Sequence, residues 1–174
     1  MTIALPMSRR SAGRAIAKEI IKRDHRRRTY HRVQSEAEAR PESILVQTSE
    51  GPIWMSPIEF MLYEAMQREG LSPAPQYMLE GYIVDFAFPD VKLAIEADGA
   101  QYHSEDRREL DRKRDWIISR KGWTVKRFHG TTIYNKASNC ASDIKQEVER
   151  RRANSQQEPA RSLWRIIGKY LGLE

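Results

Sequence analysis

The chain is 174 residues long, carries a formal charge of +6 with an isoelectric point near 9.5, and has one cysteine, Cys140. That length suits one domain with extensions. The lone cysteine excludes an internal disulfide framework and suits a reducing compartment, so a cytoplasmic protein is expected. No apolar run approaches the ~20 residues of a membrane span, and residues 1–7 lack the basic region that precedes a secretory signal. A membrane is therefore not expected as a partner, while the positive charge favours an anionic one without identifying it.

Residues 8–33 read as an amphipathic basic helix: Ala12, Ile16 and Ile20 recur at helical spacing amid Arg14, Lys18, Lys22 and the run Arg26-Arg27-Arg28. Such a helix is either a solvated face docked weakly on the domain or an arm that grips DNA phosphates. Residues 35–50, with Pro41 among mixed polar residues, read as a linker with a short strand at 44–47. The compact domain is expected from Ser56, because Ser56-Pro57-Ile58-Glu59 supplies an N-cap, a proline at the first helical position and a capping glutamate. That helix runs to Glu69 and stops at Gly70. Strands follow at 76–79, 82–88 and 92–98, then a helix at 105–121, a strand at 123–128 and a helix at 137–151. A polar linker (154–160) leads to a small amphipathic helix (162–173). The division is thus 1–50 basic helical extension and linker, 51–152 domain, 153–174 linker and terminal helix. The element order predicts an α/β or α+β layer.

The hairpin of strands 82–88 and 92–98 carries acids where core strands ordinarily carry none. Alternation places Asp85 on one face with Ile83 and Ala87, and Glu96 and Asp98 on one face with Ala94. A loop centred between Asp90 and Val91 puts Asp85 directly across from Glu96. Cross-strand neighbours lie about 5 Å apart, and like charges there are destabilising. Three carboxylates on an apolar hairpin call for a cation, and hard oxygen donors suit Mg²⁺ or Mn²⁺. A salt bridge to a helix arginine is the competing account of Asp85 and of Glu96, and turn chemistry before Gly99 is the competing account of Asp98.

Other groups could join them. Glu59 is explained by its capping box, yet could also serve the site. His103 follows the hairpin closely, and an imidazole can carry a proton to or from a reacting oxygen. On the helix after the hairpin, Leu110, Ile117 and Ile118 define the expected buried face, with Arg114 inside that stripe. Asp111 and Arg114 suit an ordinary ion pair; alternatively, Arg114 stands over the carboxylates or a phosphate. Lys126 and Arg127 point to opposite faces of the last strand, one toward the site. A zinc site from His103, His129 and Cys140 has no recognisable ligand spacing.

The run Asp85…Ile95-Glu96-Ala97-Asp98-Gly99…His103, then Asp111-x-x-Arg114-Asp115 and Gly122-Trp123-Thr124-Val125-Lys126-Arg127-Phe128, resembles the small DUF559-type endonuclease domain. That group is similar to the very-short-patch repair endonucleases and to homing endonucleases with a Glu-Asp-x-His-Asp signature, all within the PD-(D/E)xK superfamily. The resemblance covers residues 56–151. It implies a restriction-endonuclease-like mixed central sheet flanked by helices, and hydrolysis of DNA phosphodiesters with Mg²⁺ or Mn²⁺. Asp85 matches the first-strand metal ligand, Glu96 the second acid, His103 the histidine of the repair branch, and Glu59 and Asp111 the outer acids of the homing signature. Asp98 stands where many members have lysine, so His103, Lys126 or Arg114 would have to serve in its place. The expected metal set is Asp85, Glu96 and Asp98, with Arg26, Arg27, Arg28, Lys126 and Arg127 on DNA. A double-strand cut would require a homodimer or sequential events. Two alternatives stay open: a catalytically decayed DNA-binding module, and a ribonuclease or toxin.

Overall fold

The computed structural model describes the backbone of residues 9–49, 51–98 and 105–171, and the side chains of residues 19–49, 51–98 and 109–156. The chain runs α1 (Arg9–Glu38), β1 (Ile44–Thr48), β2 (Gly51–Met55), α2 (Pro57–Arg68), β3 (Ala74–Leu79), β4 (Tyr82–Phe88), a 3-10 turn (Pro89–Val91), β5 (Leu93–Asp98), α3 (Glu105–Ser119), β6 (Thr124–His129) and α4 (Gly130–Leu171). The last four strands form a sheet in the order β3-β4-β5-β6, antiparallel except for the parallel β5–β6 step that α3 bridges. This is the mixed sheet flanked by helices that the resemblance implies, and an α+β layer as the element order predicts.

Local chemistry sets the boundaries. Ser56 Oγ accepts from the Glu59 N–H at 3.3 Å while the Glu59 carboxylate accepts from the Ser56 N–H at 2.8 Å, so two otherwise orphaned donors start α2. At its far end Gly70 takes φ +77, and Leu71 N–H returns to Met66 C=O at 2.9 Å. A Cβ would be strained at that left-handed position, which is why glycine stops the helix. Glu80 and Gly81, both with positive φ, make the two-residue turn from β3 to β4.

The two faces of the sheet are covered unequally. On one face Phe86, Phe88, Leu93, Ile95 and Phe128 pack with Leu62 and Met66 of α2, Ile144 and Val148 of α4, and Val46, Ile53 and Met55 of the β1–β2 hairpin. On the other, Val84, Ala87 and Ala94 meet Ile118, with Tyr77, Trp123 and Val125 at the margin. Each fully buried aliphatic or aromatic side chain contributes about 1.5–3 kcal/mol, so the first layer carries most of the apolar stabilisation. The layer beneath α3 is thin.

Several expectations need correction. No element is expected at 51–55, yet β2 there pairs with β1 and its Ile53 and Met55 are core residues, so the boundary at 50/51 falls inside a hairpin. Leu110, expected inward, is 64% exposed; only Ile118 of that stripe is fully buried. The segment 154–160 is helical, continuous with α4, whose one non-helical residue is Lys136. No helix among the described residues is long and apolar enough to cross a membrane.

Candidate active site

The β4–β5 register is the one the sequence predicts: Phe86 faces Ile95, Ala87 faces Ala94 and Phe88 faces Leu93. One step further along, Asp85 falls opposite Glu96. The ladder ends there, and Asp85 Oδ2 accepts the Ala97 N–H at 2.7 Å. On the other side, β3 and β4 pair on both sides of Gln76 and Asp85 but not at them. Gln76 has φ +46, a left-handed conformation that costs a non-glycine residue roughly 1–3 kcal/mol. As a result Val84 packs in the same cluster as Ala87, three residues away, and the alternation that would group Asp85 with Ala87 is broken. Asp85 turns its carboxyl along the sheet, toward β5, instead of under α3.

This brings Asp85 to Glu59. The two acids line one cleft of about 250 Å³ together with Thr29 and Arg32 of α1 and with Tyr82 and Ile83 of β4. Burial pushes the Asp85 carboxyl well above the usual range, and the neighbouring charge of Glu59 adds to it; the Ala97 N–H opposes. Glu96 raises it further and Arg114 lowers it. The Glu59 carboxyl is raised by burial too, against the Ser56 hydrogen bonds and the Arg40 charge. Both carboxylates are thus desolvated next to each other, a repulsive arrangement that a cation would relieve.

Glu96 has a different environment. It is 9% exposed and ion-paired to Arg114 Nη2 of α3 and, at 2.8 Å, to Arg127 Nε of β6. Arg127 also grips Asp115 of α3, at 2.6 Å, and Arg114 Nη2 donates to the Ile83 C=O at 3.3 Å. The helix-arginine account therefore holds for Glu96 and not for Asp85. The expected Asp111–Arg114 pair gives way as well: Arg114 stands over a strand carboxylate, while Asp111 is exposed. Lys126 faces the opposite layer, 2.7 Å from Asp143 of α4, so Arg127 is the member of that pair on the acidic side.

The remaining candidates are scattered. Asp98 ends β5, in register with His129. His103 lies outside the described residues. On α1, Arg26 and Arg27 line a groove of about 460 Å³ against β3, but Arg28 is turned to solvent and paired with Asp24 at 2.8 Å. Gln34 and Gln76 carry no expectation from sequence. Gln34 accepts the Trp54 N–H at 2.8 Å and donates to Gln76, and Gln76 donates to the Trp54 C=O at 2.7 Å. These amides pin α1 to β2 and β3, and no spacing rule points to them; a buried glutamine in a strand is the only trace.

Among the described residues no three His, Cys, Asp or Glu side chains converge closely enough to hold an ion by themselves. The expected Asp85–Glu96–Asp98 triad is not what assembles; the partner of Asp85 in the cleft is Glu59. Two desolvated carboxylates, neither of them ion-paired, still form a donor set that fits a hard divalent cation completed by water and phosphate oxygens. Glu96 could join only by displacing two guanidinium groups.

Residues 59–148, just over half of the chain, match the family REase_MTES_1575. Similar curated proteins include an uncharacterized protein of Haemophilus influenzae, 36% identical over 69 residues (40% of this chain, 57% of that protein). Another is the uncharacterized protein YcjD of Escherichia coli, 33% identical over 76 residues (44% of this chain, 63% of that protein). The chain thus spans about three fifths of the length of these relatives. Among solved structures, the catalytic domain of the homing endonuclease I-Bth0305I is 21% identical with a TM-score of 0.38, covering 57% of this chain and 97% of that domain, a likeness too slight to carry an argument. With its mixed sheet, its flanking helices and the acids Glu59 and Asp85 within the matched segment, the chain belongs to the REase_MTES_1575 family of restriction-endonuclease-like domains.

Proposed function

We propose that the protein is a divalent-metal-dependent endonuclease that hydrolyses DNA phosphodiester bonds. The observation that carries this reading is the desolvated Asp85–Glu59 pair, set in a cleft whose other wall is a basic helix. Asp85 and Glu59 would hold Mg²⁺ or Mn²⁺, which when bound polarises a phosphoryl oxygen and makes a coordinated water more acidic. Ala97 N–H fixes the orientation of the Asp85 carboxylate, and the capping box fixes that of Glu59, so both are preorganised. His103 is the candidate to take the proton from water or give one to the leaving oxygen. Asp111 is a candidate for orienting it. Arg114 and Arg127 neutralise Glu96 and hold α3 against the sheet, which keeps the third acid from adding its full charge to the cleft.

A second reading, a nuclease-fold module that binds DNA without cutting it, draws on the same Glu96 clamp, because the second acid of the resemblance is unavailable as a free ligand. Incubation of supercoiled plasmid and structured RNA in parallel, with Mg²⁺ or Mn²⁺ and with EDTA, separates these readings. Metal-dependent nicking of plasmid that EDTA abolishes is the expected result. Binding without nicking would favour the second reading, and cleavage confined to RNA would make the substrate ribose-containing.

A further inference from the structure

The acid pair needs a cationic group that can meet the phosphate, and among the described residues the three cations of the matched segment expected at the site are already committed. Arg114 and Arg127 are tied to Glu96, and Lys126 lies on the other layer with Asp143. The cleft wall opposite the acids is α1, which precedes residues 59–148 and contributes Thr29 and Arg32. Arg32 reaches an acid only loosely, 3.8 Å from Glu36 in an i,i+4 pair, with 72% of its side chain exposed. Exposed pairs of that kind are worth a few tenths of a kcal/mol, so the guanidinium is available to a stronger anion.

We propose that Arg32 is the phosphate-binding cation of this site, supplied by the N-terminal helix and not by the nuclease domain proper. It rests on the nuclease reading and says which group fills the place where the resemblance puts a lysine and this chain has Asp98. Position is provided by Gln34, two residues on, whose amide is bonded to Trp54 and Gln76. Gln76 lies directly across from Asp85 between the paired positions of β3 and β4, so one amide network sets both walls of the cleft. A planar guanidinium held this way can make two parallel hydrogen bonds to a phosphate, as a mobile arm could not. Arg23, Arg26 and Arg27 line the adjoining groove between the same helix and β3 and would follow the neighbouring backbone. α1 is then part of the active site.

The test compares Arg32→Gln and Arg32→Lys with Arg68→Gln, a loss of the same charge from an exposed i,i+4 pair with Glu64 on α2. Single-turnover cleavage of a short DNA duplex is measured with enzyme in excess, and binding of that duplex is measured by fluorescence anisotropy over a range of salt in EDTA. Arg32→Gln should slow cleavage by about 10²–10³-fold and lower the slope of log affinity against log salt by about one. Arg32→Lys should restore the slope but only part of the rate. Arg68→Gln should stay within about twofold of wild type in both. If Arg32→Gln behaves like Arg68→Gln in rate and slope, the inference is overturned. If the wild type never cuts but Arg32→Gln still flattens the slope, the nuclease reading falls while the phosphate contact stands; no cleavage and no change in slope would remove both.

Discussion

Asp85 and Glu96 occupy facing register positions on adjacent strands, yet the fold treats them in opposite ways. Glu96 receives two guanidinium groups, from α3 and β6, and closes a network that includes Asp115. Asp85 receives one backbone N–H and a second carboxylate. A buried acid with two arginines is a structural joint, here fastening the thinly packed α3 layer. A half-buried acid set beside another acid makes the folded state less stable unless something else binds there. The difference separates the acid that holds the fold together from the acid that the fold holds ready.

Breaking the comparison at Asp85 should have the largest effect. Asp85→Asn keeps an oxygen for the Ala97 N–H but removes the charge, and plasmid nicking should fall on the order of 10³-fold. Breaking it at Glu96 should cost stability instead. Glu96→Ala leaves Arg114 buried without its carboxylate, and urea unfolding should report a loss of about 3–5 kcal/mol. The double variant Glu96→Met, Arg114→Met removes both charges, leaving Arg127 with Asp115; it should recover most of that stability and nick plasmid within about tenfold of wild type. Failure of the double variant to nick, despite normal folding, would make Glu96 a working group of the site.

How far the sequence was legible follows the same division. The capping box, the hairpin register and the inward positions Ile144 and Val148 are short-range patterns, and local chemistry decides them. Asp85 was recognisable because an aspartate amid Val84, Phe86 and Ala87 is out of place in a strand. Glu59 was a named candidate, but its pairing with Asp85 was not recognisable: the left-handed Gln76 that interrupts the β3–β4 ladder is held by Gln34 and Trp54, far away in the chain. β2 was hidden by Gly51-Pro52, which reads as a turn but is tolerated on an outer strand of a two-stranded hairpin. Leu110 misled because helical periodicity names a face without saying how far the sheet extends beneath it.

Smaller effects sharpen the picture. Ser56→Ala should cost about 1 kcal/mol in urea unfolding by uncapping α2. It should also lower nicking, because the Glu59 carboxylate shares that cap. The smallest effect concerns pH, on the far side of the molecule. Hydrogen bonds from Arg150 and then Arg151 pull the Glu147 carboxyl down to about 2. Its contribution to stability is therefore present above the ordinary glutamate range and is lost as pH falls toward that value. Glu147→Gln should flatten the acid limb of a stability–pH profile slightly and leave nicking unchanged; an unaltered limb would mean the pair persists in the unfolded chain.

The central claim is that Asp85 and Glu59 are kept desolvated and mutually repelling in readiness for a divalent ion, and thermal melting with added Mn²⁺ tests it most directly. Wild type should melt higher as Mn²⁺ is raised, because an ion bound only to the folded state stabilises it. Asp85→Asn should melt above wild type in EDTA and show no response to Mn²⁺. A variant that melts below wild type in EDTA, or that gains as much from Mn²⁺ as wild type does, would contradict the account.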